Sequence, residues 1–315
     1  MGSHPTFIMR NVVIIGSGCA GNTAAIYSAR ARLSPLVIIG HEAGGQLSIT
    51  SIVENFPGFP EGVDGPQLVE NMKQQAIRFG ADYIHGSVEE ADFSKRPFRL
   101  KVAGVWVESR TVIIASGASA RWLGIPGEEK FIAKGYSSCA TCDGFFFRNK
   151  KIMVVGGGDS AMEEANFLTR FGESVTLVHR RDQFRASKIM VDRVMNNPKI
   201  TMILNTAVES IIPNATGDVV GVVLKNLVTG ETKNQDVDGL FVAIGHIPNT
   251  KPFLGQIDTD DEGYIVGKGG ARTNIPGVFH AGDVEDRIYR QAITASGAGC
   301  KAAIESERFL EAEGH

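Results

Sequence analysis

Asn11-Val12-Val13-Ile14-Ile15-Gly16-Ser17-Gly18-Cys19-Ala20-Gly21 is the segment from which the architecture of this chain can be read. Val12 to Ile15 form a continuous apolar, β-branched run, as expected for a strand buried on both faces of a parallel sheet. Glycines at 16, 18 and 21 follow, and then small and apolar residues at helical spacing over 22–32. Strand, glycine turn and helix make the dinucleotide-binding arrangement. The glycines let the backbone turn tightly and approach a pyrophosphate, and the helix N-terminus stabilises its charge. A glycine-rich turn without a ligand is the competing reading, and the strand and helix on either side weigh against it. An acid that binds a ribose diol would end the second strand, about twenty residues after the glycines. The run Leu36-Val37-Ile38-Ile39 leads instead into Gly40 and His41, with Glu42 slightly late.

The pattern restarts further on. Lys151-Ile152-Met153-Val154-Val155 reads as a strand, Gly156-Gly157-Gly158-Asp159-Ser160-Ala161 as a second turn, and 162–171 as its helix. The next strand, Ser174-Val175-Thr176-Leu177-Val178, ends on His179-Arg180-Arg181, with Arg185 close behind. Cations at that place are the signature of a 2′-phosphate, hence of NADP rather than NAD. A merely solvated basic patch is the rival reading, and the position at a strand end argues against it. Two such turns, opening at Gly16 and Gly156, imply an internal repeat and two bound dinucleotides.

Between the turns lies Cys139-Ala140-Thr141-Cys142-Asp143-Gly144. Two cysteines separated by two residues can close a small disulfide ring. Structural zinc would want four Cys or His ligands, but Cys19 and Cys300 lie far off singly and no His stands at ligand spacing. A bridge closing so short a loop constrains the unfolded chain little, which disfavours a purely structural disulfide. A redox dithiol is the working reading, with Asp143 as the nearby proton source or sink. Phe145-Phe146-Phe147 is expected to wall the sulfurs from water. Two dinucleotides and a dithiol together imply an electron chain from nicotinamide hydride to flavin to disulfide.

Composition agrees with this class. The 315 residues allow one large or two ordinary domains, and 43% hydrophobic residues suffice for packed cores. The 37 glycines suit an α/β chain with many tight turns. A formal charge of -3 argues against general affinity for nucleic acid or anionic membrane. No apolar run approaches the roughly eighteen residues of a membrane span. Met1-Gly2-Ser3-His4 reads as an expression remnant without a signal-peptide pattern behind it. Four cysteines in no regular framework fit a reducing compartment, so a cytoplasmic protein is expected.

The remaining segments are read from pattern. Residues 43–60 are too rich in Gly and Pro for a regular element. An amphipathic helix is expected over 67–79, with short strands around 83–84, 98–102 and 105–107. A buried strand over 111–115 ends at Ser116-Gly117. Gly124-Ile125-Pro126-Gly127 and Gly245-His246-Ile247-Pro248-Asn249 look like linkers. Further strands are expected over 200–208, 219–225 and 240–244. A short strand over 277–283 ends in Asp283, and a helix opens at Tyr289 and runs to about Leu310.

From about Arg10 to Leu310 the chain resembles the low-molecular-weight thioredoxin reductases. The resemblance rests on both glycine turns and on Gly44-Gly45-Gln46-Leu47 with Val53-Glu54-Asn55-Phe56-Pro57-Gly58. It rests also on the Cys139 to Gly144 stretch and on His179-Arg180-Arg181 with Arg185-Ala186-Ser187. Ala281-Gly282-Asp283 and Tyr289-Arg290-Gln291-Ala292 complete it. It implies an α/β chain of two Rossmann-like domains, the second inserted in the first. An FAD domain would comprise 1–120 and 248–315, and an NADPH domain with the dithiol 121–247. It implies FAD contacts at Gly16, Ser17, Gly18, Cys19, Ala20, Gly21, Gly44, Gly45, Gln46, Leu47, Asn55, Ala115 and Gly117. Gly282, Asp283, Arg290, Gln291 and Ala292 join them, with Asp283 at the ribityl chain. NADP contacts would fall on Gly156, Gly157, Gly158, Asp159, Ser160, His179, Arg180, Arg181, Arg185, Ile244 and Gly245. Cys142 would be the sulfur near the flavin, Cys139 the sulfur that attacks the disulfide of a thioredoxin, and Asp143 the proton donor or acceptor. The resemblance also implies a homodimer and a rotation of one domain against the other, hinged at 124–127 and 245–249. Cys19 stands where the family usually has Pro. It is read as a small buried residue, with a lowered pKa and oxidation as the alternative. Ser116 stands for the usual Thr, and Cys300 is read as a core residue. Competing functions are a relative with a ferredoxin-type donor, a reductase serving a peroxiredoxin-type partner through an extra dithiol domain, and a flavin-bound redox sensor.

Overall fold

The computed structural model of the chain describes residues 9–50 and 52–315; residues 1–4, read above as an expression remnant, lie outside them. The chain divides into two compact units. One is the chain up to Ser119 together with Ile247–His315, and the other is Ala120–His246.

In the first unit, one sheet runs in the order Asp82–Ile84, Leu36–Ile38, Met9–Ile15, Val105–Ile114, Phe98–Val102, Val88–Asp92, and Val278–His280 also pairs with Val105–Ile114. The strands around Met9–Ile15 are parallel, with Ile15 level with both Ile38 and Ile114, and Ile114 level with His280. Val12, Val13, Ile14 and Val112 to Ile114 are fully buried, because the helices Cys19–Arg30 and Ala292–Ala312 cover one face of this part of the sheet and apolar side chains from 88–102 and 253–284 cover the other. This register brings the carboxyl ends of four parallel strands to one edge, where open α/β sheets bind ligands. Gly16, Gly40, Ala115 and Ala281 all leave the sheet there.

The second unit repeats the plan. Five parallel strands run in the order Tyr136–Ser137, Gly239–Ala243, Lys151–Gly156, Ser174–Val178, Ile200–Ile203. An antiparallel three-stranded sheet of Thr206–Pro213, Val219–Asn226 and Thr232–Asp236 supplies apolar side chains to one of its cores. The chain is thus α/β, with two dinucleotide-type sheets, the first parallel around Met9–Ile15 with antiparallel strands at one side and the second parallel throughout.

Several elements differ from the sequence reading for local reasons. Val105–Ile114 is one ten-residue strand. Its polar middle is accommodated because the Ser109 hydroxyl donates to the Thr111 carbonyl (2.6 Å) and the Thr111 hydroxyl to the Asn11 carbonyl (2.9 Å). The expected strand over 200–208 breaks in two at Asn205, which adopts the left-handed conformation (φ 51°). The last helix is Ala292–Ala312 and does not open at Tyr289. Asp286 accepts the amides of Ile288, Tyr289 and Arg290, and Arg290 has φ 48°, so that stretch is a carboxylate-centred turn. Residues 43–60 hold a 3₁₀ turn, Gly45–Ile49, and the strand Ile52–Val53, which pairs with Val63–Asp64.

The segment 124–127 lies inside the second unit, away from the crossings at Ser119/Ala120 and His246/Ile247. There the Glu128 carboxylate accepts the amides of Leu123 (3.1 Å) and Gly124 (2.8 Å) and the Tyr136 hydroxyl (2.6 Å). It is a clamped turn rather than a free joint.

Candidate functional site

The first glycine turn is built by steric necessity. Gly16 has φ 110°, and a Cβ there would stand 2.2 Å from the Ala115 carbonyl oxygen. A Cβ on Gly21 would stand 1.9 Å from the Gly16 carbonyl oxygen. Gly18 meets no such obstacle, its nearest neighbour being the Gly44 carbonyl oxygen at 3.8 Å. Nothing in the protein requires a glycine at 18. What it leaves is bare backbone at the amino end of the helix Cys19–Arg30, a cradle that a side chain would fill. Ser17 points inward: its hydroxyl donates to the Ile39 carbonyl (3.0 Å) and accepts the Gly44 amide (3.0 Å). One buried side chain thus ties the turn to the end of the second strand and to the 44–47 loop.

The other expected flavin residues gather in this unit. Cys19 and Val53 share an apolar cluster with Leu68, Val69 and Met72, against which Leu47, Ala292 and Ala295 pack. Ala20 and Ala115 are buried in an adjoining cluster. Gln46 and Gly45 lie in the 3₁₀ turn. Asn55 donates to the Gln291 side chain (3.3 Å), across 236 positions of sequence. The Gly117 carbonyl accepts the Asn249 amide (3.0 Å), and the Ser116 hydroxyl donates to the Asn249 carbonyl (2.9 Å). Asp283 follows Gly282 at the sheet edge. Its Oδ1 is buried with no hydrogen-bond partner among the described residues. Burial, and then the nearby Asp286, push its carboxyl up to about 7, opposed by Arg290. An orphaned acceptor at the carboxyl edge beside a bare glycine cradle fits a ligand that brings both a phosphate and hydroxyl donors, as a flavin dinucleotide does. Burial, and secondarily Asp283, push the Cys19 thiol up to about 12. Cys19 is therefore the small buried residue of the first reading, protonated at neutral pH, rather than an activated thiol.

In the second unit the same steric logic recurs. A Cβ on Gly156 would stand 2.4 Å from the Ala243 carbonyl oxygen, whereas Gly158 has open space around it. His179 is placed otherwise than with the arginines. Its ring lies beneath Gly157, where a Cβ would approach it to 2.2 Å, and it stacks on Phe184 at 5.2 Å. Burial lowers its pKa, and the three arginines add to the effect, so the ring is a neutral support for the turn. Arg180, Arg181 and Arg185 are exposed, with no carboxylate partner among the described residues. Asp159 opens the helix Asp159–Leu168, next to the exposed Ser160. Ile244 packs partly against the core, and the Gly245 carbonyl accepts the Arg121 amide (3.0 Å).

Cys139 and Cys142 form a disulfide with Cα atoms 5.4 Å apart. Register shows where it sits. Ser137 is level with Phe241 and Phe241 with Val154, so the CATC stretch starts at the same edge as the Gly156 turn. Cys139 caps the short helix Ala140–Asp143, and its sulfur accepts the Cys142 amide (3.3 Å). Behind the pair, the Ser137 hydroxyl donates to Asp143 Oδ2 (2.6 Å) and accepts the Cys139 amide (3.1 Å). Burial raises the Asp143 pKa, while the Ser137 hydrogen bond opposes the shift. The three phenylalanines do not form a common wall. Phe147 is a core residue, its ring 5.1 Å from that of Phe241, whereas Phe145 and Phe146 are exposed. Alternation along a 3₁₀ turn cannot send three consecutive side chains to one side.

The sequence reading gave no role to Ser137, Ser187 or Asp286, although Ser187 lies within a quoted motif. Each is a short polar residue acting on backbone close in sequence or on a carboxylate, and no spacing rule marks such a residue in advance.

Two glycine turns at two sheet edges, with a disulfide at the second edge, define a flavin- and pyridine-nucleotide-type disulfide oxidoreductase. The profile of the pyridine nucleotide-disulphide oxidoreductases matches residues 10–299, and the chain belongs to that family. More narrowly, it is 53% identical over 306 residues to the thioredoxin reductase of Rickettsia conorii, covering 96% of this chain and 99% of that one. It is 53% identical over 305 residues to the thioredoxin reductase of Mycolicibacterium smegmatis, covering 96% and 97%. Among solved structures, the thioredoxin reductase of Streptococcus pyogenes superposes with a TM-score of 0.92 at 41% identity, covering 96% of this chain and 99% of that one. Among the described residues no helix is long and apolar enough to cross a membrane.

Proposed function

We propose that the chain is an NADPH-dependent thioredoxin reductase acting as a cytoplasmic homodimer, with FAD held in the first unit and NADPH in the second. The observation that carries the reading is the Cys139–Cys142 disulfide at the carboxyl edge that also bears the Gly156 turn. Bound FAD would supply the two-electron carrier between nicotinamide and disulfide. The bare backbone at Gly18 and Gly45 receives its pyrophosphate. Asp283 accepts a hydroxyl of its ribityl chain, and Asn55, Gln291 and Arg290 border its ring. Gly158 receives the NADPH pyrophosphate, and Arg180, Arg181 and Arg185 hold the 2′-phosphate that NADH lacks. The domain boundaries of this scheme follow the two units, and the crossings at 119/120 and 246/247 are its joints.

Once reduced, Cys139 attacks the thioredoxin disulfide as a thiolate and forms a mixed disulfide. The thiolate of Cys142 then attacks Cys139 Sγ, displaces the thioredoxin sulfur and recloses the 139–142 bond, and the partner leaves as a dithiol. The buried Asp143 carboxyl, with its raised pKa, holds the proton that the thiols give up or regain.

Anaerobic titration with NADPH, and in parallel NADH, tests the donor by flavin absorption. Fast bleaching by NADPH alone is expected; bleaching by neither would remove the proposal. Cys139→Ser and Cys142→Ser should each abolish thioredoxin reduction while NADPH still bleaches the flavin. Near-normal thioredoxin turnover in either variant contradicts the scheme.

A further inference from the structure

The segment 179–187 carries all three arginines proposed for the 2′-phosphate, and it returns to the second glycine turn through two attachments. The Gly157 carbonyl accepts the amides of Arg185 (2.7 Å) and Ala186 (3.1 Å). Asp159 Oδ1 accepts both the amide (2.7 Å) and the hydroxyl (2.9 Å) of Ser187. Between them the His179 ring fills the space under Gly157 and stacks on Phe184, and its Nε2 lies 3.1 Å from the Gln183 carbonyl. The loop is therefore folded onto the turn by its own two ends.

Asp159 looks misplaced for a coenzyme ligand. It stands at the first position of the helix whose amino end faces the pyrophosphate, where an anionic side chain would repel the phosphates. Its acceptor is engaged instead with Ser187, the residue that caps the helix Lys188–Met195. The carboxylate thus joins the start of one helix to the start of the next, and Arg185, whose own amide is held by the Gly157 carbonyl, lies two positions before Ser187.

We infer that Asp159 and Ser187 form a latch that fixes Arg185 against the Gly156 turn. Asp159 is then a positioning residue for discrimination between phosphorylated and unphosphorylated coenzyme, not a ligand of either. The inference rests on the reading of Arg180, Arg181 and Arg185 given above. It predicts that loosening the latch costs affinity only for ligands that carry a 2′-phosphate.

The test uses the holoenzyme and two adenosine probes, adenosine 2′,5′-bisphosphate and adenosine 5′-monophosphate, titrated by calorimetry. Asp159→Ala should weaken the bisphosphate about tenfold, the scale of losing charge-assisted hydrogen bonds, and move the monophosphate less than about twofold. KM for NADPH should rise in parallel and KM for NADH should not. Asp159→Asn keeps the acceptor for both Ser187 donors without the charge, and should restore bisphosphate binding. Ser187→Ala keeps the amide and loses the hydroxyl, and should cost about threefold, a single neutral hydrogen bond; being milder, it carries the test if Asp159→Ala folds poorly. Unchanged discrimination in Asp159→Ala and Ser187→Ala overturns the latch. So does an Asp159→Asn variant as weak as Asp159→Ala, or equal losses for the two probes. A wild-type protein that does not prefer the bisphosphate overturns the arginine reading itself, and that outcome is distinct from a failed latch.

Discussion

At Gly21 a Cβ would stand 1.9 Å from a backbone oxygen; at Gly18, three residues earlier in the same turn, it would reach nothing closer than 3.8 Å. The second turn shows the same contrast between Gly156, at 2.4 Å from the Ala243 carbonyl oxygen, and Gly158, which is open. Gly21 and Gly156 thus serve the protein's own packing, whereas Gly18 and Gly158 leave backbone bare. The turns then diverge. The first is tied to its neighbouring loop by the buried Ser17 hydroxyl and faces an orphaned carboxylate, Asp283. The second is tied by the exposed Asp159, on a loop that carries three exposed arginines with no carboxylate partner among the described residues. One turn thus adjoins a buried acceptor, the other exposed cations.

The contrast within the first turn can be broken most sharply. Gly21→Ala forces a Cβ into backbone and should cost about 3 kcal/mol or more, the upper range of overpacking, with little folded protein recovered. Gly18→Ala meets no protein atom. It should leave the melting temperature of the cofactor-free protein within a few degrees, yet release FAD readily on dilution. If Gly18→Ala melted as low as Gly21→Ala, the middle glycine would be structural and the cradle reading would fail. A smaller effect separates the two turns. Replacing Arg180 and Arg181 together by Ala should lower kcat/KM for NADPH about a hundredfold, from charged hydrogen bonds worth roughly 1.5 kcal/mol each, and leave FAD content unchanged. A matching loss with NADH would mean that the arginines act on the common part of both coenzymes.

These differences were unevenly legible in the sequence. The outer glycines and the buried strands could be read because steric exclusion and burial leave a pattern in neighbouring residues. The arginines at 180, 181 and 185 are assigned to a phosphate because a strand end has a known role, and the structure leaves them exposed there. His179 belonged to the same run of letters, and adjacency placed it with the arginines. In the fold, the side chain that leaves the strand first points under Gly157, which only packing decides. The helix start was misread at Tyr289 because the turn is made by Asp286, a carboxylate that accepts amides two to four residues later. The three phenylalanines after the cysteines read as one apolar unit, but a 3₁₀ turn distributes them between core and surface.

The orphaned carboxylate of the first turn sharpens the comparison through pH. Asp283 titrates near 4 in an unfolded chain and at about 7 in the folded, ligand-free protein. The folded state holds this proton more tightly, so the contribution of Asp283 to stability falls as pH rises from about 4 to about 7 and is level above. His280, on the same edge of the sheet, acts in the opposite sense. Burial, and then Lys301, hold its imidazole down to about 4, so its contribution grows over much of the same window. The wild-type curve alone would mix the two, and Asp143 adds to the first with the sign of Asp283. The difference between wild type and Asp283→Asn isolates one group. In the cofactor-free protein, the melting temperature of Asp283→Asn relative to wild type should rise by a few degrees between pH 5 and pH 7.5, the scale of about 2 to 3 kcal/mol in a chain of this size. A constant offset across that range would mean that Asp283 keeps an ordinary pKa in the empty site, and that its unpartnered oxygen is reached by water rather than reserved for a ligand's hydroxyl.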